Sequence, residues 1–212
     1  MQSKYKFSIV LLFLTFQIAL VHATLNANQI ITNILTSVQT NPIRTEFKLI
    51  VSEKNNAIDQ GTTGVFTLKG SKFILESDEM KVWFDGKTQW SYLRKNNEVT
   101  ITNPTEKELG ETNPMVILST YKNKSDIRFS SVKSTAFYSI QLTPKFKNRD
   151  ILKIDIQVNK TTMNLFSIKI IYKNGTTNLL MLTNYQKGIK VPDNYFVFNA
   201  SKFKGVYEND LR

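Results

Sequence analysis

Side chains able to carry out catalysis are few in this sequence. The single histidine is His22, near the N-terminus, and the chain contains no cysteine. Zinc sites of the usual kind and nucleophile–histidine pairs need these two residue types. Catalysis would therefore depend on carboxylates, lysine or tyrosine, and the candidate carboxylates lie in no recognisable acid–base pair: Asp78, Glu79, Asp150 and Asp155. We expect a protein that is not an enzyme and that uses no cofactor and no metal.

The N-terminal residues have the pattern of a secretory signal peptide. Two lysines precede an apolar run over residues 7–20, and Val21 and Ala23 stand at the −3 and −1 positions of a cleavage site. The run is shorter than the roughly 20 residues of a membrane-spanning helix, so an uncleaved membrane anchor is the lesser alternative. We expect a signal peptide at residues 1–23 and a single exported domain at residues 24–212.

The charge of the chain is strongly positive, with a formal net charge of +11. A basic surface attracts nucleic acid, anionic membranes or acidic partners. The lysines and arginines are scattered, with no cluster of four or more, and export argues against nucleic acid. We therefore expect no nucleic-acid partner. Solubility alone and weak attraction to anionic head groups or partner proteins both stay open.

Two kinds of periodicity define the expected elements. Asn26 to Thr40 has apolar residues at helical spacing, and Asn41-Pro42 ends that pattern. Period-two segments then follow at intervals of about ten residues with tight turns, which is typical of one continuous antiparallel sheet. The expected strands include residues 47–51, 65–68, 73–75, 99–101, 154–158, 165–172, 179–182 and 195–199, and Lys54-Asn55-Asn56 is an expected turn.

A short apolar helix interrupts the strands in the middle of the chain. Thr105 and Glu108 have the spacing of a capping box, and Asn113-Pro114 is a second helix start. The turn that follows, Met115 to Leu118, has no polar residue. Four such side chains on one short helix cannot all face the same core, so we expect this segment to cover something apolar.

The segment VWFDGKTQWSYL, residues 82–93, predicts a hairpin around Asp85-Gly86. Large apolar side chains occur on both of its faces. We expect Trp90 and Tyr92 to project to one side of the sheet and Trp83 to the other. A strand pair of this kind needs an apolar cover on each side, whereas an ordinary hairpin exposes one face to water.

Several motifs occur in the order found in one known family. Residues 85–92 read D-G-K-T-Q-W-S-Y, residues 61–68 read GTTGVFTL, and residues 142–145 read L-T-P-K. Residues 113–118 fall where that family has its lid helix, and the C-terminal pattern consists of Phe196, Phe198, Val206 and Asp210. The sequence thus resembles LolA, the periplasmic carrier of lipoproteins in Gram-negative bacteria, over nearly all of the expected exported domain.

The resemblance implies a fold that is mainly β with helices: an incomplete antiparallel β-barrel, or half-barrel, with an α-helical lid. It implies a soluble periplasmic carrier that binds lipoprotein acyl chains in an apolar cavity and shuttles them from the inner to the outer membrane. The lid would be Met115, Val116, Ile117 and Leu118. The expected lipid-binding cavity consists of Phe47, Leu49, Phe66, Leu68, Phe73, Leu75, Trp90 and Tyr92.

The implied partners are acylated lipoproteins, an inner-membrane ABC-type releasing complex and an outer-membrane acceptor, with the carrier itself a monomer. One departure concerns the lid. Relatives often have Lys-Arg-Pro after the second strand, where the arginine latches the lid, whereas this chain has Lys69-Gly70-Ser71. Lys69 is the candidate latch.

Other functions stay open at this point. A lipid-sensing, lipoprotein-sensing or glycolipid-binding module could use the same half-barrel, and a structural adhesin is a further alternative. Any single residue of the expected cavity could also be an ordinary residue of the hydrophobic core. Stoichiometric binding without turnover distinguishes a carrier from an enzyme.

Overall fold

The computed structural model describes residues 25–53, 61–146 and 150–212. The predicted signal peptide at residues 1–23 and the predicted turn at Lys54-Asn55-Asn56 lie outside these ranges. In the described part of the chain, every helix is too short or too polar to cross a membrane.

Twelve strands of the described residues form one sheet in the order β12-β6-β5-β4-β3-β2-β1-β11-β10-β9-β8-β7. All neighbours are antiparallel except β12 and β6, which run parallel. The strands are β1 Ile43–Ser52, β2 Thr62–Lys69, β3 Lys72–Ser77, β4 Met80–Phe84, β5 Gln89–Leu93, β6 Glu98–Thr102, β7 Ser125–Phe129, β8 Phe137–Pro144, β9 Ile151–Asn159, β10 Leu165–Tyr172, β11 Thr177–Lys187 and β12 Tyr207–Asp210. The sheet is an incomplete barrel, because β12 and β7 stand at opposite ends of the strand order and do not pair.

The first helix, α1 (Ala27–Thr40), confirms the helix predicted from the N-terminal periodicity. Asn26 caps it, since the Gln29 amide donates to Asn26 Oδ1 at 2.8 Å and Gln29 Oε1 accepts from the Asn26 amide at 2.9 Å. Ile30 and Ile31 are fully buried. The helix ends where Asn41 takes an extended conformation before Pro42. Its apolar side packs against β2, β7 and the third helix.

Two more helices, α2 (Glu106–Thr112) and α3 (Pro114–Lys122), follow β6. The predicted capping box is present, because the Thr105 amide donates to the Glu108 carboxylate at 2.7 Å. Asn113 separates the helices and caps α3 by accepting from the Met115 amide at 2.9 Å. The helices and the sheet together confirm the predicted fold class, an incomplete β-barrel with a helical lid.

The hairpin of β4 and β5 differs from the sequence prediction in the side to which Trp83 points. Its loop is the four residues 85–88, in which the Asp85 carboxylate accepts from the amides of Lys87 and Thr88 at 2.8 Å. Trp83 therefore lies directly opposite Trp90. Directly opposite residues of antiparallel strands share a face, so the expectation that Trp83 projects away from Trp90 was wrong.

Two apolar clusters lie on opposite faces of the sheet. The inner core is the cluster beneath the helices, and it includes Phe47, Phe66, Leu68, Phe73, Val82, Leu118 and residues of α1. The outer cluster lies on the other face and consists of Ile74, Trp83, Tyr92, Val99, Phe196 and Phe198, with Trp90 and Phe203 packed against it.

The C-terminal segment fills the outer cluster. Two short 3-10 helices, Asp193–Phe196 and Ala200–Lys202, lead the chain across this face. The ring centroids of Phe198 and Phe203 lie 5.4 Å from Trp83 and 4.7 Å from Tyr92, respectively. The strand expected at residues 195–199 is therefore wrong. The last strand is β12, and its parallel pairing with β6 corrects the expectation of a purely antiparallel sheet.

Candidate functional site

A cavity of about 680 Å³ opens on the inner face between the sheet and helices α2 and α3. Binding sites for small molecules commonly have volumes of about 300–1,000 Å³. The wall that the sheet contributes is almost entirely apolar: Phe47, Leu49, Phe66, Leu75, Ile151, Ile168, Ile170, Leu180 and Leu182. The cavity is therefore suited to an apolar ligand.

Strand alternation and register place these side chains together. Phe47 and Leu49 of β1 lie opposite Leu182 and Leu180 of β11. Leu180 in turn lies opposite Ile168 of β10. Because directly opposite residues share a face, the three strands present one continuous apolar surface to the cavity.

Gly64 of β2 allows the wall to form beside Phe47. A Cβ at residue 64 would lie 2.7 Å from Phe47 Cε1 and would collide with the backbone oxygen of Glu76. The absence of a side chain lets the Phe47 ring lie close over β2. This part of the inner face is thus tightly packed, although the cavity next to it is empty of protein atoms.

Polar groups occur at the rim of the cavity, on the helices and adjoining turns. The rim residues are Glu106, Lys107, Thr120, Tyr121, Lys124 and Asp150. The Thr120 hydroxyl donates to the Glu106 carboxylate at 2.6 Å, which joins α3 to α2. Burial raises the pKa of Tyr121, and the charge of Asp150 raises it further, so the tyrosine hydroxyl stays neutral at physiological pH.

The eight residues predicted for the cavity occupy three places. Phe47, Leu49, Phe66 and Leu75 are in its wall. Leu68 and Phe73 belong to the inner core and are 1% and 0% exposed. They lie near the β2–β3 turn, where α1 packs over the sheet and the Gly70 amide donates to the Val38 carbonyl oxygen at 3.2 Å.

Trp90 and Tyr92 lie on the other side of the sheet. Trp90 packs against the outer cluster, and Tyr92 is a member of it. The Tyr92 hydroxyl donates to Asn97 Oδ1 at 3.1 Å. Strand alternation explains the placement, because the residues of β4 that face the inner core are Val82 and Phe84, whereas Trp83 faces outward with Trp90.

The four residues predicted for the lid differ in what they contact. Ile117 lines the cavity. Met115 and Leu118 are buried in the inner core, and Val116 is half-buried outside the cavity wall. The side chain of Ile117 also lies against α2, since a Cβ on Gly110 would be 3.1 Å from Ile117 Cδ1. Helix α2 supplies Glu106, Lys107 and Gly110 to the cavity.

Sequence reasoning missed the half of the wall that comes from β9, β10 and β11. The alternation of residues 165–172 predicted the strand but did not show that the strand lines a cavity. Ile168 and Ile170 face the cavity, whereas Phe166, beside a register shift, stacks on Phe137 with ring centroids 4.6 Å apart. Of the carboxylates considered for catalysis, Asp155 is paired with Lys153 at 2.9 Å.

Comparisons with known proteins agree with this architecture. The family model described as outer membrane lipoprotein carrier protein LolA matches residues 44–172. The outer-membrane lipoprotein carrier protein of Shewanella oneidensis is 26% identical over 133 residues, which are 61% of this chain and 63% of that relative. The match thus spans less than two thirds of the length of the relative.

One solved structure shares the fold at low identity. An uncharacterized conserved protein from Thermus thermophilus has a TM-score of 0.57 and 9% identity, over 86% of this chain and 98% of that chain. A LolA superfamily protein from Nitrosomonas europaea has a TM-score of 0.43 and 11% identity, over 82% and 99% of the two chains. Because the family model covers more than half of the sequence, the chain belongs to the LolA family of outer membrane lipoprotein carrier proteins.

Proposed function

We propose that this protein is a periplasmic carrier that binds the acyl chains of lipoproteins in its cavity and carries them from the inner to the outer membrane. The observation that supports the proposal most is the apolar cavity of about 680 Å³ beneath two short helices. Membership of the lipoprotein carrier family supports lipoprotein acyl chains as the class of ligand.

The energetics of an acyl chain explain why such a cavity is useful. Moving a chain of about 16 carbons from lipid into water costs roughly 0.8 kcal/mol per methylene, on the order of 12 kcal/mol in total. Spontaneous escape from the membrane is therefore negligible. A carrier must offer an apolar site that offsets most of this cost and still releases the chain, which requires binding groups and a movable cover but no reaction.

The proposal includes the domain assignment and the partners. Residues 1–23 direct export, and residues 24–212 form the working carrier, a monomer without cofactor or nucleic-acid partner. An inner-membrane ABC-type complex supplies the lipoprotein, and an outer-membrane acceptor receives it. The shared chemistry of these exchanges is transfer of an acyl chain between apolar sites.

The lid of the proposed carrier has a fixed and a movable part. Met115 and Leu118 anchor α3, because their side chains are 7% and 0% exposed in the inner core. Helix α2 and the side chain of Ile117 contact the cavity and would move to admit a chain. Lys69 stays the candidate for the latch that the family arginine provides in other members.

The binding site can be tested by filling the cavity. Leu180→Trp places a large ring in the space that several methylenes of the acyl chain would occupy. Burial of each methylene contributes about 0.8 kcal/mol to binding, so we expect at least about a tenfold loss of affinity for a triacylated lipoprotein. The readout is formation of a soluble one-to-one complex on dilution from detergent, followed by size-exclusion chromatography and native mass spectrometry.

The matched control is Leu152→Trp, the same substitution at a residue of β9 that is 45% exposed. It should bind as the unaltered protein does. Equal binding by both variants would exclude the cavity as the site. A second measurement follows transfer of the bound lipoprotein to acceptor vesicles. A carrier should release the lipoprotein to the vesicles, whereas a sensor should bind it without transfer. An enzyme would change the mass of the lipoprotein, and neither a carrier nor a sensor would.

A further inference from the structure

Lysines from distant parts of the chain meet at one end of the strands. The segments concerned are residues 69–72 between β2 and β3, residues 130–136 between β7 and β8, residues 160–164 between β9 and β10, and residues 187–190 at the end of β11. They read KGSK, SSVKSTA, KTTMN and KGIK, with six lysines and no aspartate or glutamate. We call these four segments the lysine edge.

Strand register places the first and last of these segments side by side. Ile43 of β1 pairs with Leu68 of β2 and also with Lys187 of β11. The β2–β3 turn and the end of β11 therefore flank the start of β1 on either side. Helix α1 reaches the same end of the sheet, where the Gly70 amide donates to the Val38 carbonyl oxygen at 3.2 Å.

The other two segments continue this edge along the sheet. The Tyr185 hydroxyl near the end of β11 donates to the carbonyl oxygen of Leu165, the first residue of β10. The Lys160 ammonium donates to the Ser134 carbonyl oxygen at 2.7 Å, which joins the β9–β10 turn to the β7–β8 turn. Lysines that are scattered in the sequence are thus collected by the fold.

Four of the lysines are exposed: Lys133, Lys160, Lys187 and Lys190. No carboxylate of the described residues lies within ion-pair distance of these four ammonium groups. Uncompensated charges of one sign on one surface attract a partner of the opposite sign.

The opposite ends of the strands carry charges of both signs. Asp78 and Glu79 lie in the turn between β3 and β4, and Asp150 precedes β9. Lys145 follows β8 and pairs with Asp126 at 2.9 Å. A lysine-rich composition would by itself enrich both ends, so composition does not explain the lysine edge.

Exposed apolar side chains accompany the lysines. Val132 precedes Lys133 and is 64% exposed, and Phe129 at the end of β7 is 46% exposed. Apolar groups beside cationic ones are typical of surfaces that bind the interface of an anionic membrane, because the apolar groups enter the boundary region while the charges face the head groups.

We propose that the lysine edge docks on an anionic lipid surface, with Val132 entering the interface and the lysines facing the lipid phosphates. Lysine is a compact, hydrated point charge, whereas arginine is the side chain suited to bidentate recognition of one defined group. Six lysines spread over four segments, with no arginine among them, fit the diffuse charge of a lipid surface.

This surface is separate from the cavity and goes beyond the proposed function. Leu165 of β10 pairs with Val158 at the lysine edge, whereas Tyr172 and Ile151, which line the cavity, pair at the opposite end of the same strands. Docking through the lysine edge therefore leaves that end of the cavity unobstructed. The inference does not depend on the identity of the cavity ligand.

The first test is sedimentation of the purified protein with two kinds of vesicle, phosphatidylcholine alone and phosphatidylcholine with one third phosphatidylglycerol. We expect at least about tenfold tighter binding to the anionic vesicles at low salt, and weaker binding as salt screens the lysines. Equal binding to both vesicles, or no binding, would overturn the proposal. Retention on polyglutamate without binding to anionic vesicles would assign the edge to an acidic protein and would also overturn it.

Charge removal locates the surface. Each lysine near an anionic membrane changes affinity about fivefold, so Lys187→Gln combined with Lys190→Gln should weaken vesicle binding about twentyfold. The matched control is Lys95→Gln combined with Lys173→Gln, which removes the same charge from exposed turns at the opposite strand ends. Equal loss in both double variants would overturn the location. Affinity for a fluorescent fatty-acyl probe should be unchanged in both, so the cavity and the lysine edge are tested independently.

A tryptophan at residue 132 tests entry into the interface. Val132→Trp should show additional fluorescence quenching by vesicles that contain brominated phosphatidylglycerol. The control is Tyr207→Trp, at a residue of β12 that is 66% exposed and lies at the far side of the strand order. Trp83 and Trp90 give the same background in both variants. Equal quenching in the two variants would exclude entry of residue 132.

Discussion

The two faces of the sheet carry similar apolar side chains but are covered by different means. On the outer face, Trp83 and Tyr92 contact Phe196, Phe198 and Phe203, all supplied by the C-terminal segment of the same chain. On the inner face, helix α1 covers only one end of the sheet. Another part of the inner face borders a cavity of about 680 Å³.

The difference teaches that aromatic content does not distinguish a core from a binding site. A core differs from a binding site in that a covalently attached segment of the same chain covers the apolar surface. A tethered segment is always present at high effective concentration, so the outer face stays closed. The cavity on the inner face has no such filling among the described residues, and a separate molecule can occupy it.

The largest expected effect is on the outer face. Phe196→Ala removes a fully buried ring and should lower the free energy of unfolding by about 3–5 kcal/mol. Acyl-probe affinity of the molecules that stay folded should not change, because the ring lies on the far side of the sheet. Urea unfolding and probe titration measure the two quantities. Tyr207→Ala, at a residue 66% exposed, is the control. A loss of affinity in folded Phe196→Ala would show that the two faces are coupled.

An intermediate effect is expected where the inner face is packed rather than empty. Gly64→Ala would push a methyl group against the backbone of Glu76 and the ring of Phe47, and should cost about 1–3 kcal/mol of folding free energy. Thr63→Ala, at an exposed neighbour in β2, should change stability by less than about 0.5 kcal/mol. Thermal and urea unfolding compare the pair. Equal stability of the two variants would contradict the close packing of this part of the wall.

The smallest expected effect concerns charge at the border of the outer cluster. Burial raises the pKa of Glu76, but hydrogen bonds and positive charge from Lys81 and Arg94, at 2.7 and 2.8 Å, outweigh this effect and leave the pKa below its ordinary value. A lowered folded-state pKa stabilises the fold above the ordinary value, and the contribution is lost as pH falls through the folded-state pKa.

Glu76→Gln should therefore cost less than about 1 kcal/mol at pH 7, since the carboxylate is partly exposed, and the difference should shrink toward zero in acid. Urea unfolding at several pH values between 7 and 3 measures it. A difference that grew toward low pH would contradict the assigned sign. The acyl-probe affinity should be the same for both proteins at pH 7.

Local signals in the sequence were sufficient for the helices and most strands. The helical spacing of Asn26 to Thr40, the Thr105–Glu108 capping box and the Asn113-Pro114 helix start depend on residues three or four positions apart, so they can be recognised without knowledge of the fold. The period-two segments likewise marked strands such as β9 and β10. These features explain why the fold class could be predicted.

Features that depend on distant contacts could not be predicted in the same way. Alternation shows that Leu68 and Phe73 share a face with Phe66, but not that α1 covers that end of the sheet. Phe196 and Phe198 have strand-like spacing, yet their environment is set by Trp83, more than a hundred residues earlier. The cavity wall was therefore predicted in part, and the outer cluster was not.

The unclosed strand order has a consequence for the size of ligand that the cavity can hold. In a closed cylinder of strands, the number of strands and their stagger fix the radius. Here the two end strands, β7 and β12, are not joined to each other, so the described sheet can bend more or less strongly while every ladder hydrogen bond stays in place. A cavity walled by such a sheet can adjust its width to ligands of different thickness without partial unfolding.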